Sequence, residues 1–421
     1  MKNADKNIEV WADWRDMNVP QKIGVLSSFL TRGKEIFSFE YDEEWLRGSF
    51  PFQLDPKIRL FKGSQYAPND RPNFGIFLDS SPDRWGRTLM QRREAVLARQ
   101  EKRPVKTLLE SDYLVGVYDG HRMGGLRFKY EKGPFLDDQK DNATPPWTSL
   151  RELQQASLSL ENVDSKNDQK MLAWLKLLVA PGSSLGGTRP KASVVDPKRN
   201  LWIAKFPSQA DSKNVGAWEF VVYSLAKKCG ITVPEFALER FGKNHHTFLS
   251  KRFDRHGSRK RIHFASAMTL LEHKDGDDAT GGASYLELVD FIIANGANVS
   301  RDLEELWRRI VFFISVSNSD DHLRNHGFLL SANGWELSPA YDMNPNEFAT
   351  GLSLNISDTS NALDFDLAMD VVGFFRIEIN RAHDILKKIH KEVSQWRGVA
   401  LKFGINKSEQ DRMSQAFRFK T

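Results

Sequence analysis

The octapeptide 318–325, N-S-D-D-H-L-R-N, constrains this chain more than any other stretch. An apolar segment with helical spacing runs straight into it, and a hairpin pattern follows: G-F-L-L, the turn S-A-N-G, then W-E-L. Directly beyond comes S-P-A-Y-D, ending on Asp342. A loop framed by a helix and a hairpin holds its side chains in a defined register, and here it carries Asp320 and Asn325 five residues apart. That spacing, D-x-x-x-x-N, is the one used by phosphoryl-transfer loops. A carboxylate at Asp320 can accept the proton of an attacking hydroxyl. Asn325 can offer an oxygen to magnesium, and Asp342 adds a second hard oxygen ligand.

Other readings of the same residues stand beside this one. Asn, Ser and Asp are turn and cap residues, so the octapeptide alone also fits a solvated loop that ends the preceding helix. His322 and His326 stand four apart next to Asp320 and Asp321, which would suit a divalent metal in a hydrolase, although no helical pattern covers them.

Two further segments favour phosphoryl transfer. Residues 182–193, G-S-S-L-G-G-T-R-P-K-A-S, form a loop rich in Gly and hydroxyl groups whose backbone could approach phosphates closely. It is not a Walker loop, because Gly187 is followed by Thr188 and Arg189 instead of Lys. After the turn D-P-K-R-N, the strand L-W-I-A-K-F alternates so that Leu201, Ile203 and Lys205 share one face. A Lys on such a face calls for an anionic partner, either a phosphate or a carboxylate. Its plain alternative is snorkelling from an edge strand. Glu219 offers a carboxylate, early in a helix whose packed face is marked by Trp218, Val221, Val222, Leu225 and Cys229. Gly-rich loop, strand Lys, helix Glu, catalytic loop and metal Asp follow one another in the order of a kinase.

Those segments resemble the HipA family of bacterial serine/threonine kinases, the toxin halves of type II toxin–antitoxin pairs. The likeness is carried by S-S-L-G-G-T-R-P-K, L-W-I-A-K-F-P, W-E-F-V-V-Y-S-L-A, F-L-S-K-R-F-D-R, R-I-H-F-A-S-A-M, V-S-N-S-D-D-H-L-R-N-H-G and S-P-A-Y-D-M-N-P. It reaches the leading part through F-L-D-S-S-P-D-R-W-G-R, so it spans nearly the whole chain. The resemblance implies ATP and Mg2+ as cofactors, with Asp320 as base, Asn325 and Asp342 as metal ligands, and Lys205, braced by Glu219, on the nucleotide phosphates. Loop amides of Ser184, Leu185, Gly186, Gly187 and Thr188 would cover those phosphates. Lys251 and Phe253 match the hinge that holds adenine, though the family often has an acidic residue where this chain has Lys251. Ser184 matches a serine such kinases phosphorylate on themselves, with Ser183 as the neighbouring alternative, and His322 and Arg324 would support the transferring phosphoryl group. A phosphate on that loop would draw it outward, away from the nucleotide.

The fold class that follows is α+β: a two-lobed, protein-kinase-like fold with a small N-terminal α/β domain and a mainly helical C-terminal lobe. Residues 1–130 form the leading domain and 131–147, with three Pro in a polar run, a linker. Residues 148–255 form the region with the Gly-rich loop and Lys strand, and 256–421 the helical lobe. A helix in the leading domain is expected to open at Ser81-Pro82 with Ser81 as its cap. Y-L-E-L-V-D-F-I-I-A, L-E-E-L-W-R-R-I-V-F-F-I and the stripe of Ile385, Leu386, Ile389, Val393 and Trp396 read as packed helix faces.

At 421 residues and 40% hydrophobic content the chain can bury real cores, and its single Cys fits a reducing cytoplasm. The longest apolar run, I-V-F-F-I-S-V, is too short to span a membrane, and M-K-N-A-D-K lacks the apolar core of a signal peptide. With 60 basic and 55 acidic residues spread along the chain there is no concentrated basic arm, and no DNA-reading motif. The resemblance implies contact with DNA only through a small helix-turn-helix antitoxin of HipB type. It also implies a protein acceptor, with an aminoacyl-tRNA synthetase as the leading choice. A small-molecule kinase of the antibiotic or choline type, and a protein that works mainly as an antitoxin-binding co-repressor, are the alternatives.

Overall fold

The computed structural model describes residues 6–14, 17–48, 52–139, 144–161, 168–179, 189–242, 245–256 and 260–419. The fold is α+β and divides into two compact units, Met1–Gln209 with Asp254–Ala265, and Ala210–Phe253 with Ser266–Thr421.

The first unit begins with a five-stranded antiparallel sheet in the order β4-β3-β2-β1-β5, built from β1 (Lys6–Ala12), β2 (Gln21–Thr31), β3 (Lys34–Tyr41), β4 (Gln65–Tyr66) and β5 (Leu126–Lys129). Period-2 alternation dictates its packing: Ile8, Val10 and Ala12 of β1 and Phe37 and Phe39 of β3 are buried, while their neighbours face the other way. Phe77, from the short helix Gly75–Asp79, sits over this face, 5.7 Å from the ring of Phe39 and 6.0 Å from that of Phe128. Burying one such ring contributes about 2 kcal/mol. Arg122, fully buried, gathers the connecting loops by donating to the carbonyls of Ser80, Leu114, Val117 and Leu136.

Helix α1 (Arg84–Gln100) starts two residues later than the Ser-Pro signal suggests, and the expected Ser81 cap is not used. The Ser81 hydroxyl donates back to the Phe77 carbonyl at 2.8 Å, which closes the preceding helix. Asp83 is the cap instead: one carboxylate oxygen accepts from the Gly86 amide at 2.8 Å, and the other lies 2.6 Å from the Lys191 ammonium. Against α1 pack α2 (Leu150–Glu161), through α3 (Asp168–Val179), and α3 itself. The hairpin β6 (Lys191–Val195) and β7 (Leu201–Lys205) completes the unit, with Lys191 opposite Lys205.

The second unit is mainly helical. Its α4 (Val215–Cys229) buries Trp218, Val221, Val222, Leu225 and Cys229 as its periodicity requires. Trp218 packs against Trp396 and Phe417, whose rings stack at 4.2 Å. Strands β8 (Phe236–Glu239) and β9 (Thr247–Lys251) pair antiparallel beside α4. Helix α5 (Tyr285–Asn295) opens on a capping box of Ser284 and Glu287. Helix α6 (Val299–Val316) is the unit's central pillar, flanked by α4, α5 and α7 (Ile379–Val393). Trp307 of α6 is buried, and its indole N–H donates to the Ala368 carbonyl at 2.8 Å. The hairpin β10 (Gly327–Ser331) and β11 (Gly334–Leu337) pairs Ser331 with Gly334 across a two-residue turn, as its sequence predicts.

Candidate functional site

The loop 318–325 owes its position to the way α6 ends. Ser317 takes up left-handed φ of 49°, and the amides of Ser317 and Asn318 donate back to the carbonyls of Ile314 and Phe313. The chain therefore leaves the helix at a fixed angle. The Asn318 side chain then accepts from the Asn344 amide at 2.9 Å, Asn346 donates to the Ser319 hydroxyl at 2.7 Å, and the Ser353 hydroxyl donates to the Ser319 carbonyl at 2.7 Å. These bonds tie the loop to the segment that follows Asp342.

Of the two adjacent carboxylates, Asp320 is exposed and Asp321 is buried. Asp321 is held by the Tyr285 hydroxyl and by His326 Nε2, the latter 2.9 Å away, so it is taken up inside the fold. Asn325 turns back on the loop: its Nδ2 donates to the Asp320 carbonyl at 2.8 Å and its amide to the His322 carbonyl at 2.8 Å. The other end of that side chain, Oδ1, is buried with no hydrogen-bond partner, and so is Oδ1 of Asn344. An unmatched buried amide oxygen is unfavourable unless something electropositive meets it.

Asp342 adopts φ of 57°, a left-handed conformation that costs a non-glycine residue about 1–2 kcal/mol. Its amide donates to the Tyr223 hydroxyl at 3.0 Å, and Asn344 Nδ2 lies 3.5 Å from its carboxylate. Tyr223 stands one turn after Glu219 on α4. Burial first, then the charges of Glu219 and Asp342, pushes its hydroxyl well above the ordinary value, so it stays neutral. Two carboxylates, Asp320 and Asp342, thus join the oxygens of Asn325 and Asn344 on two loops bonded to each other. Hard oxygens of this kind are a donor set that suits magnesium, which keeps several waters and takes few protein ligands.

Among the other sequence candidates, Phe253 packs on Tyr341, the residue before Asp342, with ring centroids 5.4 Å apart. The Lys251 ammonium lies 2.6 Å from Glu235, and its amide donates to the Glu235 carbonyl, so this side chain serves the β8 end of the strand pair. The Arg324 guanidinium sits 3.3 Å from Asp275, and Tyr341 donates to the Arg324 carbonyl at 2.7 Å. Nδ1 of His322 is buried without a hydrogen-bond partner. Lys205 is buried in the first unit, while Glu219, almost wholly buried, belongs to the second. Ser183, Ser184, Leu185, Gly186, Gly187 and Thr188 lie outside the described residues.

Among the described residues no group of three or more His, Cys, Asp or Glu is placed to hold a metal, and His326 is committed to Asp321. Asp320, Asp321, His322 and His326 thus do not gather into such a group. Sequence reasoning gave no role to Tyr223, Tyr285 or Asn344, and it read Asn318 only as a turn or cap residue of the octapeptide.

A family model described as HipA-like C-terminal domain matches residues 183–397. A Haemophilus influenzae protein named "Putative kinase" is 29% identical over 179 residues, which cover 38% of this chain and 52% of the relative. The chain therefore spans about half the length of the curated relative it matches. A solved Shewanella oneidensis structure, of toxin–antitoxin proteins HipA and HipB with operator DNA, aligns with TM-score 0.65 and 17% identity. That alignment covers 97% of this chain and 94% of the other, a likeness of fold.

Proposed function

The chain belongs to the HipA-like family, and from that premise we propose that it is an ATP- and magnesium-dependent kinase that phosphorylates serine or threonine on a protein. The observation that carries the reading is the divergence of two neighbouring carboxylates: Asp320 faces solvent, Asp321 is locked inside, and Asn325 beside them keeps an unmatched oxygen. In the proposed step the acceptor hydroxyl oxygen bonds to the γ-phosphorus as the bond to the ADP oxygen breaks. Its proton passes to the Asp320 carboxylate, and ADP leaves with the electron pair.

Asn325 and Asp342, with Asn344 beside them, are the residues that would hold magnesium. When bound, the metal supplies neutralisation of the phosphate charge. We assign Lys205 to the nucleotide phosphates, Glu219 to the support of that role, and Phe253 to the adenine end. Ser184 or Ser183 is the self-phosphorylated residue of this proposal. His322 and Arg324 act electrostatically at most, since Arg324 already has an acidic neighbour in Asp275.

By the same likeness the chain is the toxin of a pair whose antitoxin is a small helix-turn-helix protein, and DNA is reached through that partner. The Shewanella complex, which contains HipA, HipB and operator DNA, supports this part. An aminoacyl-tRNA synthetase is the proposed acceptor. Among the described residues no helix is long and apolar enough to cross a membrane.

The test is intact-mass and peptide mass spectrometry after incubation with magnesium and ATP, for the parent chain and Asp320→Asn. A phosphoryl group gained by the parent and absent from Asp320→Asn is the expected result. Equal transfer by both would remove Asp320 from the mechanism, and a parent that does not bind ATP would sink the kinase reading.

A further inference from the structure

We propose that Tyr285, Asp321 and His326 form a positioning clamp that brackets the catalytic pair Asp320 and Asn325, an inference that rests on the kinase reading above. The geometry is specific. One carboxylate oxygen, Oδ2 of Asp321, receives the Tyr285 hydroxyl and lies 2.9 Å from His326 Nε2. The side chains are 0%, 2% and 1% exposed for Tyr285, Asp321 and His326. Asp321 directly follows Asp320, and His326 directly follows Asn325. The clamp therefore pins the chain immediately behind each functional residue, while the Asn325-to-Asp320 carbonyl bond closes the space between.

Each arm is anchored elsewhere in the same unit. Tyr285 is the first residue of α5, set by the Ser284 and Glu287 capping box. The carbonyl of His326 accepts from the Ala267 amide at 2.9 Å as the chain enters β10. Nε2 of His326 must carry a proton to serve a carboxylate, and Nδ1 is buried without a partner. The tautomer with its hydrogen on Nε2 presents one donor to Asp321 and leaves only an acceptor unmatched at Nδ1. Burial first, then the Asp321 charge, lifts the Tyr285 hydroxyl well above the ordinary value, so it remains a donor.

A buried carboxylate with this few donors is poor value as a stabilising device, since apolar groups of similar size often serve as well. Its benefit lies in register. A displacement of about 1 Å at reacting groups can lower a rate about a hundredfold.

The experiment follows transfer of labelled phosphoryl from ATP, to the chain itself or to water, together with ATP affinity and the thermal midpoint. The proteins compared are the parent, Asp320→Asn, Tyr285→Phe, Asp321→Asn, the double variant Tyr285→Phe with Asp321→Asn, His326→Gln and His326→Leu. The expected result is a transfer rate about ten- to a hundredfold lower in Tyr285→Phe and Asp321→Asn, with ATP affinity within about twofold of the parent. The double variant should be no slower than Asp321→Asn alone, because the groups act as a unit. Gln, which keeps a donor near the Nε2 position, should retain more activity than Leu.

Parent rates in folded Tyr285→Phe and Asp321→Asn, with Asp320→Asn inactive, would overturn the clamp and leave the kinase reading standing. A parent that transfers nothing would remove both. If Asp321→Asn fails to fold, the His326→Gln and His326→Leu pair decides: equal rates in the two overturn the clamp.

Discussion

His273 is the side chain through which pH should reach this site. It bridges Asp277 at 3.0 Å and Glu287 at 2.9 Å, and Glu287 is also the capping-box residue beneath Tyr285. Burial works to lower its pKa, but the bonds to the two carboxylates outweigh it and raise the pKa above the ordinary 6.5. Asp277 moves the other way, held below 3.8 first by the Lys274 amide and then by His273. The signs combine into a window. The raised histidine contributes stability that is complete below 6.5 and fades as pH rises through its folded value, and the depressed carboxylate contribution fades toward acid. We predict that the thermal midpoint falls from pH 6.5 upward in the parent and that His273→Gln flattens this slope, checked by scans across that range. A parent slope unchanged by the substitution would show the bridge to be irrelevant. At this scale the D-x-x-x-x-N spacing singled out Asp320 and Asn325 as candidates, but it could not tell Asp320 from Asp321 in burial. That distinction comes from Tyr285, 36 residues earlier.

Elements were more legible than their ends. The apolar periods of α4, α5, α6 and α7 forecast which faces pack, because helical spacing depends only on neighbours along the chain, but the stripe expected to reach Trp396 breaks at Val393, and Trp396 opens a separate helix, Trp396–Lys402. The start of α1 did not follow, because the Asp83 carboxylate has a second task that no local pattern reveals. It lies 2.6 Å from the Lys191 ammonium, 108 residues away, and the two side chains are 2% and 3% exposed. Asp83→Ala would remove both the helix cap and the carboxylate beside a buried cation. Breaking a buried pair from one side costs about 3–5 kcal/mol. Replacing both partners together as Asp83→Asn with Lys191→Met keeps a capping oxygen and buries no lone charge, so the double variant should lose less than the sum of its single changes. Urea unfolding of the four proteins measures this, and simple additivity would mean that the pair is not coupled.

The two compact units are each discontinuous in sequence, since residues 254–265 belong with the first and 210–253 with the second. Composition marks a polar, Pro-rich stretch such as 131–147, and the two-part α+β organisation was legible, but nothing local marks where a chain passes from one core to another. The same scale supplies a test of the metal donors, because a ligand that binds only the folded state stabilises the entire cooperative unit. At about a hundredfold excess over Kd this linkage is worth about 2.7 kcal/mol. Magnesium with ATP should therefore raise the parent's thermal midpoint by several degrees, and ATP with a chelator should raise it less. Asp342→Asn is the informative variant. Asn tolerates the left-handed backbone that Asp342 adopts at φ of 57°, so the midpoint without ligand should stay near that of the parent. What it lacks is the anionic oxygen, so the magnesium-dependent part of the shift should shrink while any chelator-resistant part persists. Were Asp342→Asn to gain as much from magnesium as the parent does, the metal would be held by other residues, and the unmatched oxygens of Asn325 and Asn344 would need another explanation.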